Sequence, residues 1–400
     1  MINKFINKNY LIYGASIIIS RGLEFLILFF AAYTMTKHEY GEFEYYKKLI
    51  ETFSIGLAFG FPSLIMSYTR SNRNKDYFYI LSVSVVLLIG IFSFILSNFF
   101  NYQALLIPII FYALFFTGSI TQNYIIVKSG SELASYYKII VSLFFYAAVF
   151  CCIYLFGIKE QSFIYASYFI LPVFIVYFLY TLKKINLEAR ILNKYFKLFK
   201  KLIYGSITMV ISDFANILFL YTDIFIIKLL SQDPNLELAN FSFALNIAAI
   251  MLIIPTTILQ VNIENLKHSP LLTTQKLDHQ ISIIIIGISL LLIIFYKALT
   301  TLIYVDYQDT FLIFVLIIFA KIFQSLSNLF GTNLLIQKRY NLNLYINILS
   351  LIINVLLCYF FYKNWGLYGI ISSSIISLGG RYFILRYLNY KYFKKHHVKV

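Results

Sequence analysis

Residues 11–36 read LIYGASIIISRGLEFLILFFAAYTMT. The stretch is apolar and long enough for a helix to cross a bilayer, which takes about 20 such residues. Yet it carries Arg21 and Glu24 near its middle, where a charge costs roughly 2.5–3.5 kcal/mol on insertion scales. It also has an echo. LIYG at 11–14 recurs as LIYG at 202–205, and 202–230 is again a membrane-length apolar run with an acid partway along, Asp213. These two runs predict an all-α polytopic membrane protein built from two related halves, each opened by a charged helix.

Composition supports that class. Hydrophobic residues make up 60% of the chain and charged ones 12%, against roughly 45–50% and 25% in soluble domains. The excess falls in many separate apolar runs that use nearly the whole chain. The net charge of +16 would point to nucleic acid in a soluble protein. Here the Lys and Arg that cytoplasmic loops collect account for it, and no nucleic-acid partner is expected. Cys151, Cys152 and Cys358 lie in apolar runs without metal or disulfide spacing. The first apolar run is too long for a signal-peptide core and lacks a small-x-small cleavage site, so it reads as a retained span.

The runs predict twelve transmembrane helices, at about 10–34, 45–67, 77–98, 104–127, 139–157, 162–182, 202–229, 239–263, 281–304, 311–336, 343–362 and 366–389. One alternating set of loops holds most of the Lys and Arg. The opposite set holds only Lys37, Lys159, Lys228, Lys297 and Lys363. The asymmetry places both termini in the cytoplasm. Residues 1–182 form one six-helix lobe and 202–400 its pseudo-symmetric partner, ending in a basic tail. Between them, KKINLEARILNKYFKLFKK at 183–201 is a basic cytoplasmic linker. Its apolar residues recur at helical spacing, which suits an amphipathic helix with lysines toward anionic headgroups of the membrane lipids.

Soluble-type chemistry is absent. No GxxxxGK[ST] phosphate loop, HExxH or G-x-S-x-G appears, and neither a catalytic residue, a metal site nor a bound cofactor is expected. The deep charges stand out instead. Arg21 and Glu24 sit at i and i+3 and share a helix face. Lys321 lies mid-span in FAKIFQSLSNLFGTN, where Lys321, Gln324, Ser325, Asn328 and Thr332 form one polar stripe that must meet protein or water. Two readings stand for the cations. In one, Arg21 and Lys321, with Gln324 and Asn328, face an anionic group in a hydrated cavity. In the other, Arg21 is neutralised by Glu24 and Lys321 by an acid on a neighbouring helix. Glu24 and Asp213 are in turn either proton- or sodium-coupling acids or plain ion-pair partners. Asp223, Lys228, Arg381 and Arg386 lie nearer span ends and are expected to snorkel to the interface. Glu44 with Lys48, and Lys47 with Glu51, are spaced to pair at i, i+4, and Gly56 and Gly60 form a GxxxG, followed by Pro62.

The chain resembles the Wzx-type O-antigen and capsule repeat-unit flippases, in the polysaccharide-transport branch of the superfamily that holds the MATE drug exporters. The likeness rests on YGEFEYYKKLIETFSIGLAFGFPSLI at 40–65, the LIYG openings, and NWGLYGIISSSIISLGGRYFIL at 364–385, opened by Gly366 and Gly369. It implies a MATE-like fold of two lobes rocking about a central cavity. It also implies a bacterial inner (plasma) membrane location and transport of a polyprenyl-diphosphate-linked oligosaccharide, the O-antigen or capsule precursor, to the outer leaflet. A polysaccharide polymerase and a chain-length protein would be partners in the same membrane. Two alternatives remain. A MATE-type ion-coupled exporter of small cationic compounds would want acids in its cavity. An O-antigen polymerase or ligase would want a long outward loop, for which the spans leave no room.

Overall fold

The pattern of long apolar runs broken by short polar ones folds as helices throughout. The computed structural model describes residues 8–68, 72–97, 103–116, 118–183, 189–262, 266, 270–337 and 339–394, and all regular structure among them is helical. The start of the basic linker at 184–188, the side chain of Asp213 and the tail from 395 onward lie outside the described residues. Eight described stretches are long and apolar enough to span a bilayer. The protein is a multi-pass membrane protein. Its chain forms two compact units, Met1–Val210 and Ile211–Val400.

The first unit begins with α1 (Lys8–Thr34) and α2 (Lys37–Ala58). Thr36 separates them by a capping box: its hydroxyl accepts from Glu39 N–H, and its own N–H donates to the Glu39 carboxylate. The span expected at 45–67 is not continuous. Phe59 (φ 46°) and Gly60 (φ 68°) turn left-handed, which ends α2, and α3 (Phe61–Tyr68) starts afresh with Pro62 in its first turn. Gly60 therefore lies outside the helix that holds Gly56, and the expected GxxxG is not one helix face. The span expected at 104–127 also divides, into α5 (Gln103–Leu114) and α6 (Ile120–Ser129), around Gly118 (φ 83°). Hydropathy gives the length of an apolar run but not the backbone sign that breaks it. Between these lies α4 (Asn72–Ser97), and after them α7 (Ser131–Tyr154) and α8 (Ser162–Lys183). The core is aromatic, with Phe111 against Phe145 (ring centroids 5.8 Å) and Phe43 against Phe163 (4.9 Å).

The linker helix and the next span form one element, α9 (Ala189–Leu230). Its early turns are two-sided. Tyr195 stacks on Tyr77 at 4.5 Å and Phe199 packs on Phe61 at 5.3 Å, while Lys194, Lys197 and Lys200 are exposed. The division between the two units falls inside this helix.

The second unit continues with α10 (Pro234–Ala249), capped by Asp233 with Pro at its first position. Then come α11 (Ile253–Val261), α12 (Pro270–Leu302), α13 (Phe311–Ile336) and α14 (Tyr340–Lys394). Helix α14 is a hairpin. At Gly366 the backbone takes φ 55°, ψ −136°, open to glycine alone. The consequence is visible in side chains: Arg381 donates to Asn347 at 2.9 Å, whereas 34 residues of straight helix would separate them by about 51 Å. The arm 340–365 runs parallel to α9 in fixed register. Asn347 donates to Ser212, Asn354 to the Phe219 carbonyl and the Cys358 thiol to Asp223, each pair 135 residues apart.

Candidate functional site

Each unit holds a buried polar cluster. In the first, Arg21 donates to Glu24 at 2.7 Å on α1. The other carboxylate oxygen of Glu24 meets Lys47 Nζ of α2 as an ion pair at 2.8 Å. Arg21's side chain is 58% exposed and Lys47's 1%, so the buried partner of Glu24 is the lysine. Further along α2, Lys48 donates to Glu51 at 3.1 Å and Tyr40 to Glu44 at 3.2 Å. Lys47 was expected to pair with Glu51 on its own helix. It reaches across to α1 instead, where it gives the buried Glu24 carboxylate a second, buried cation beside the more exposed Arg21. Three cations (Arg21, Lys47, Lys48) stand against three acids (Glu24, Glu44, Glu51), and Lys138 of α7 lies within electrostatic reach of Arg21 and Glu24 as a fourth cation.

At one end of α2 sits a polar clasp onto the loop between α7 and α8. Lys159 Nζ lies 3.0 Å from both oxygens of Glu39. Beside it, ligand atoms of His38, Glu42 and Glu160 approach within 4.8 Å of one another. The three are partly exposed and could hold a cation between two elements. No metal spacing is visible for these residues in the sequence, because Glu160 comes from a distant loop. Burial raises the Glu39 carboxyl, but the Thr36 amide and the Lys159 ammonium outweigh it and hold the group below its usual value. Glu160 is raised by burial and then by the nearby Glu42 and Glu39 carboxylates. The signs are opposite. Glu39's contribution is present above its unfolded pKa and fades as pH falls through its lower folded one. Glu160's repulsion is present at neutral pH and is relieved on protonation. Glu39→Gln, which keeps the capping box, is expected to lower the melting temperature at pH 7, and Glu160→Gln to raise it. Each change should be worth about 0.2–1 kcal/mol at pH 7; at pH 4 the Glu160 effect should be largely gone and the Glu39 effect reduced but still present, which thermal melts at the two pH values check.

The second unit carries a small cavity of about 30 Å³. Lys321 and Gln324 of α13 line it together with Asp223 of α9 and Ser374 of the second arm of α14. Lys321 Nζ donates to Gln324 at 2.7 Å. Ser374 Oγ lies 2.7 and 2.9 Å from the two oxygens of Asp223. Phe219, Phe241 and Leu378 supply apolar wall. Asn328, one turn beyond Gln324, is half-buried and is not among the lining residues.

Two residues expected to snorkel do not. Asp223 is 9% exposed and Arg381 5%. Asp223 is taken up by Ser374 and Cys358, and Arg381 by Asn347, so neither reaches for an interface. Arg386 is different: it is half-exposed and pairs with Asp278 at 3.3 Å. Lys228 donates to Asn235 at 2.7 Å. The clue that was available is the stripe Asn343, Asn347, Ser350, Asn354 and Cys358. Its helical spacing marks a polar face along an apolar span, and all five residues are buried.

Residues 6–263 match the family model described as "Polysaccharide biosynthesis protein". A search of curated proteins gave no match. Among solved structures, an inward-facing multidrug resistance MATE family transporter of the MOP superfamily superposes with a TM-score of 0.68 at 14% identity, covering 96% of each chain. An outward-facing one gives 0.65 at 11%, covering 98% of this chain and 97% of that one. A mutant MATE transporter from Vibrio cholerae gives 0.64 at 11%, covering 97% and 95%. These likenesses show the fold.

Proposed function

The chain belongs to the polysaccharide biosynthesis protein family, and from that premise we propose that it flips a polyprenyl-diphosphate-linked oligosaccharide, an O-antigen or capsule precursor, from the cytoplasmic to the outer leaflet of the inner membrane. Alternating access of two six-helix lobes, twelve spans in all, would do this without an enzyme's chemistry. A diphosphate entering hydrocarbon needs a shielded path lined by donors, while the lipid tail can remain in the bilayer. The observation that carries the reading is the polar lining of the second unit's cavity. Lys321 there donates to the Gln324 amide and shares the lining with Asp223 and Ser374. Arg21 is hydrogen-bonded to Glu24 and takes a secondary part.

In a bacterial strain lacking its own repeat-unit flippase, Lys321→Ala at matched membrane expression is expected to cut surface polysaccharide about tenfold or more, the scale of one lost charge-assisted contact. Arg21→Ala should cost far less. Equal rescue by Lys321→Ala and wild type would remove Lys321 from the path.

A second reading has its own observation. Asp223 is a buried carboxylate on the same cavity, which suits a proton- or sodium-coupled exporter of small cations. Ethidium efflux that survives Lys321→Ala and fails in Asp223→Asn would favour it.

A further inference from the structure

Among the described residues of the second unit, Arg381 is a deep cation whose retention the cavity does not explain. Its residue is 5% exposed. Among the described residues no carboxylate meets it: the guanidinium donates once, from an Nη to the side-chain amide oxygen Oδ1 of Asn347 at 2.9 Å, and stands over the Phe219 ring at 5.5 Å. Its Nε–H is buried without a partner. One turn earlier on the same face, Ser377 is also buried and its hydroxyl has no partner either. The other arginine of this arm, Arg386, has its acid in Asp278. A buried charge without a counter-ion is strongly disfavoured unless something completes it. Nor does the site want a cation, since the orphaned Nε–H can only donate and no carboxylate stands there. The guanidinium edge carrying Nε–H is the fork that takes two oxygens of one oxyanion, and the Ser377 hydroxyl can add a third hydrogen bond.

We propose that Arg381 and Ser377 form a binding site for a phosphate-class oxyanion. The site adjoins the cavity: Phe219, under the guanidinium, and Leu378, three residues before Arg381, both line it. The inference rests on the flippase reading only for the source of the oxyanion, a lipid-linked diphosphate; binding itself does not depend on transport. An anionic phospholipid headgroup offers the same chemistry from another source.

The test uses the full chain in phosphatidylcholine nanodiscs at low salt, titrated with inorganic pyrophosphate and followed by calorimetry and thermal melting. Wild type should bind saturably. Arg381→Gln should lose about tenfold or more in affinity, and Ser377→Ala about two- to fivefold. Arg381→Lys, which keeps the charge but not the fork, should fall between wild type and Arg381→Gln and serves if Arg381→Gln does not fold. Lys391→Gln, an exposed basic residue on the same helix, should change nothing. Undiminished binding in both Arg381 variants overturns the site, and so does an equal loss in Lys391→Gln. Asp213, whose neighbour Ser212 holds Asn347, is the remaining acid to test. If Asp213→Asn restores the melting temperature of Arg381→Gln, Arg381 is an ion-pair partner and the proposal falls. Competition by farnesyl diphosphate in neutral nanodiscs would assign the oxyanion to a lipid-linked diphosphate. Competition by phosphatidylglycerol alone would assign it to a headgroup. Both support the site. Pyrophosphate binding that persists in a protein unable to translocate lipid-linked sugar would sink the flippase reading and leave this site standing.

Discussion

Glu24→Gln is expected to destabilise the first unit by about 3–5 kcal/mol, the scale of breaking a buried ion pair from one side. The size follows from which partner is left behind. Lys47 is 1% exposed, and its ammonium has Glu24 Oε1 at 2.8 Å. Removing the carboxylate charge strands that ammonium beside a neutral amide, inside a helix pair where water does not replace it. Arg21 loses the same partner but is the more exposed of the two cations, so Arg21→Gln should cost less than Glu24→Gln. The double variant Glu24→Gln, Lys47→Met should recover most of the loss, because an apolar pair of similar volume often does as well as a buried salt bridge. Unfolding in detergent with increasing denaturant measures all three. If Glu24→Gln were as stable as wild type, the pair would not be the tie between α1 and α2.

The second large effect belongs to Gly369→Ala. A Cβ at that position would stand 2.1 Å from the Phe361 carbonyl oxygen and 2.5 Å from its carbon. Both atoms are backbone of the facing arm of α14, so no side chain can swing aside, and the two arms must part. The parting would loosen the Asp223–Ser374 and Arg381–Asn347 contacts together. A loss above about 4 kcal/mol is expected, in the range where single substitutions abolish folded yield. Gly366→Ala should cost about 1–3 kcal/mol from its left-handed backbone alone. Gly380→Ala is the control, with nothing within 4 Å of its added methyl. Folded yield after detergent extraction, with proteolysis of the 360–370 turn, ranks the three. Normal yield of Gly369→Ala would mean that the arms are not closely apposed there.

The helical membrane class was legible in the spacing of apolar runs, because burial in lipid leaves a signal as long as the bilayer is thick. The polar stripe through Lys321 and Gln324 was legible for a similar reason, since residues three apart share a face. What could not be read is what depends on rotation and on distant partners. Lys47 looked like half of a local pair on α2, and only the packing of α1 beside α2 shows Glu24 within reach. Asp223 and Arg381 were placed at span ends by counting from hydropathy windows. The windows missed that α9 runs on from residue 189, although they did place the break between the last two spans beside Gly366, where α14 doubles back. The doubling sets both residues among the buried amides of Asn347 and Asn354. The breaks after Ala58 and Leu114 turn on single positive φ values, at Phe59, Gly60 and Gly118. Only the two glycines announce such values in the sequence.

The most direct test of the flippase account is reconstitution. The purified protein would be placed in proteoliposomes with a fluorescent polyprenyl-diphosphate oligosaccharide in one leaflet, and its arrival in the other read by a lectin that cannot cross the bilayer. The account predicts translocation that needs the protein and falls sharply in Lys321→Ala. No translocation by correctly folded wild type across a panel of repeat units, together with uptake of ethidium by the same vesicles, would contradict it.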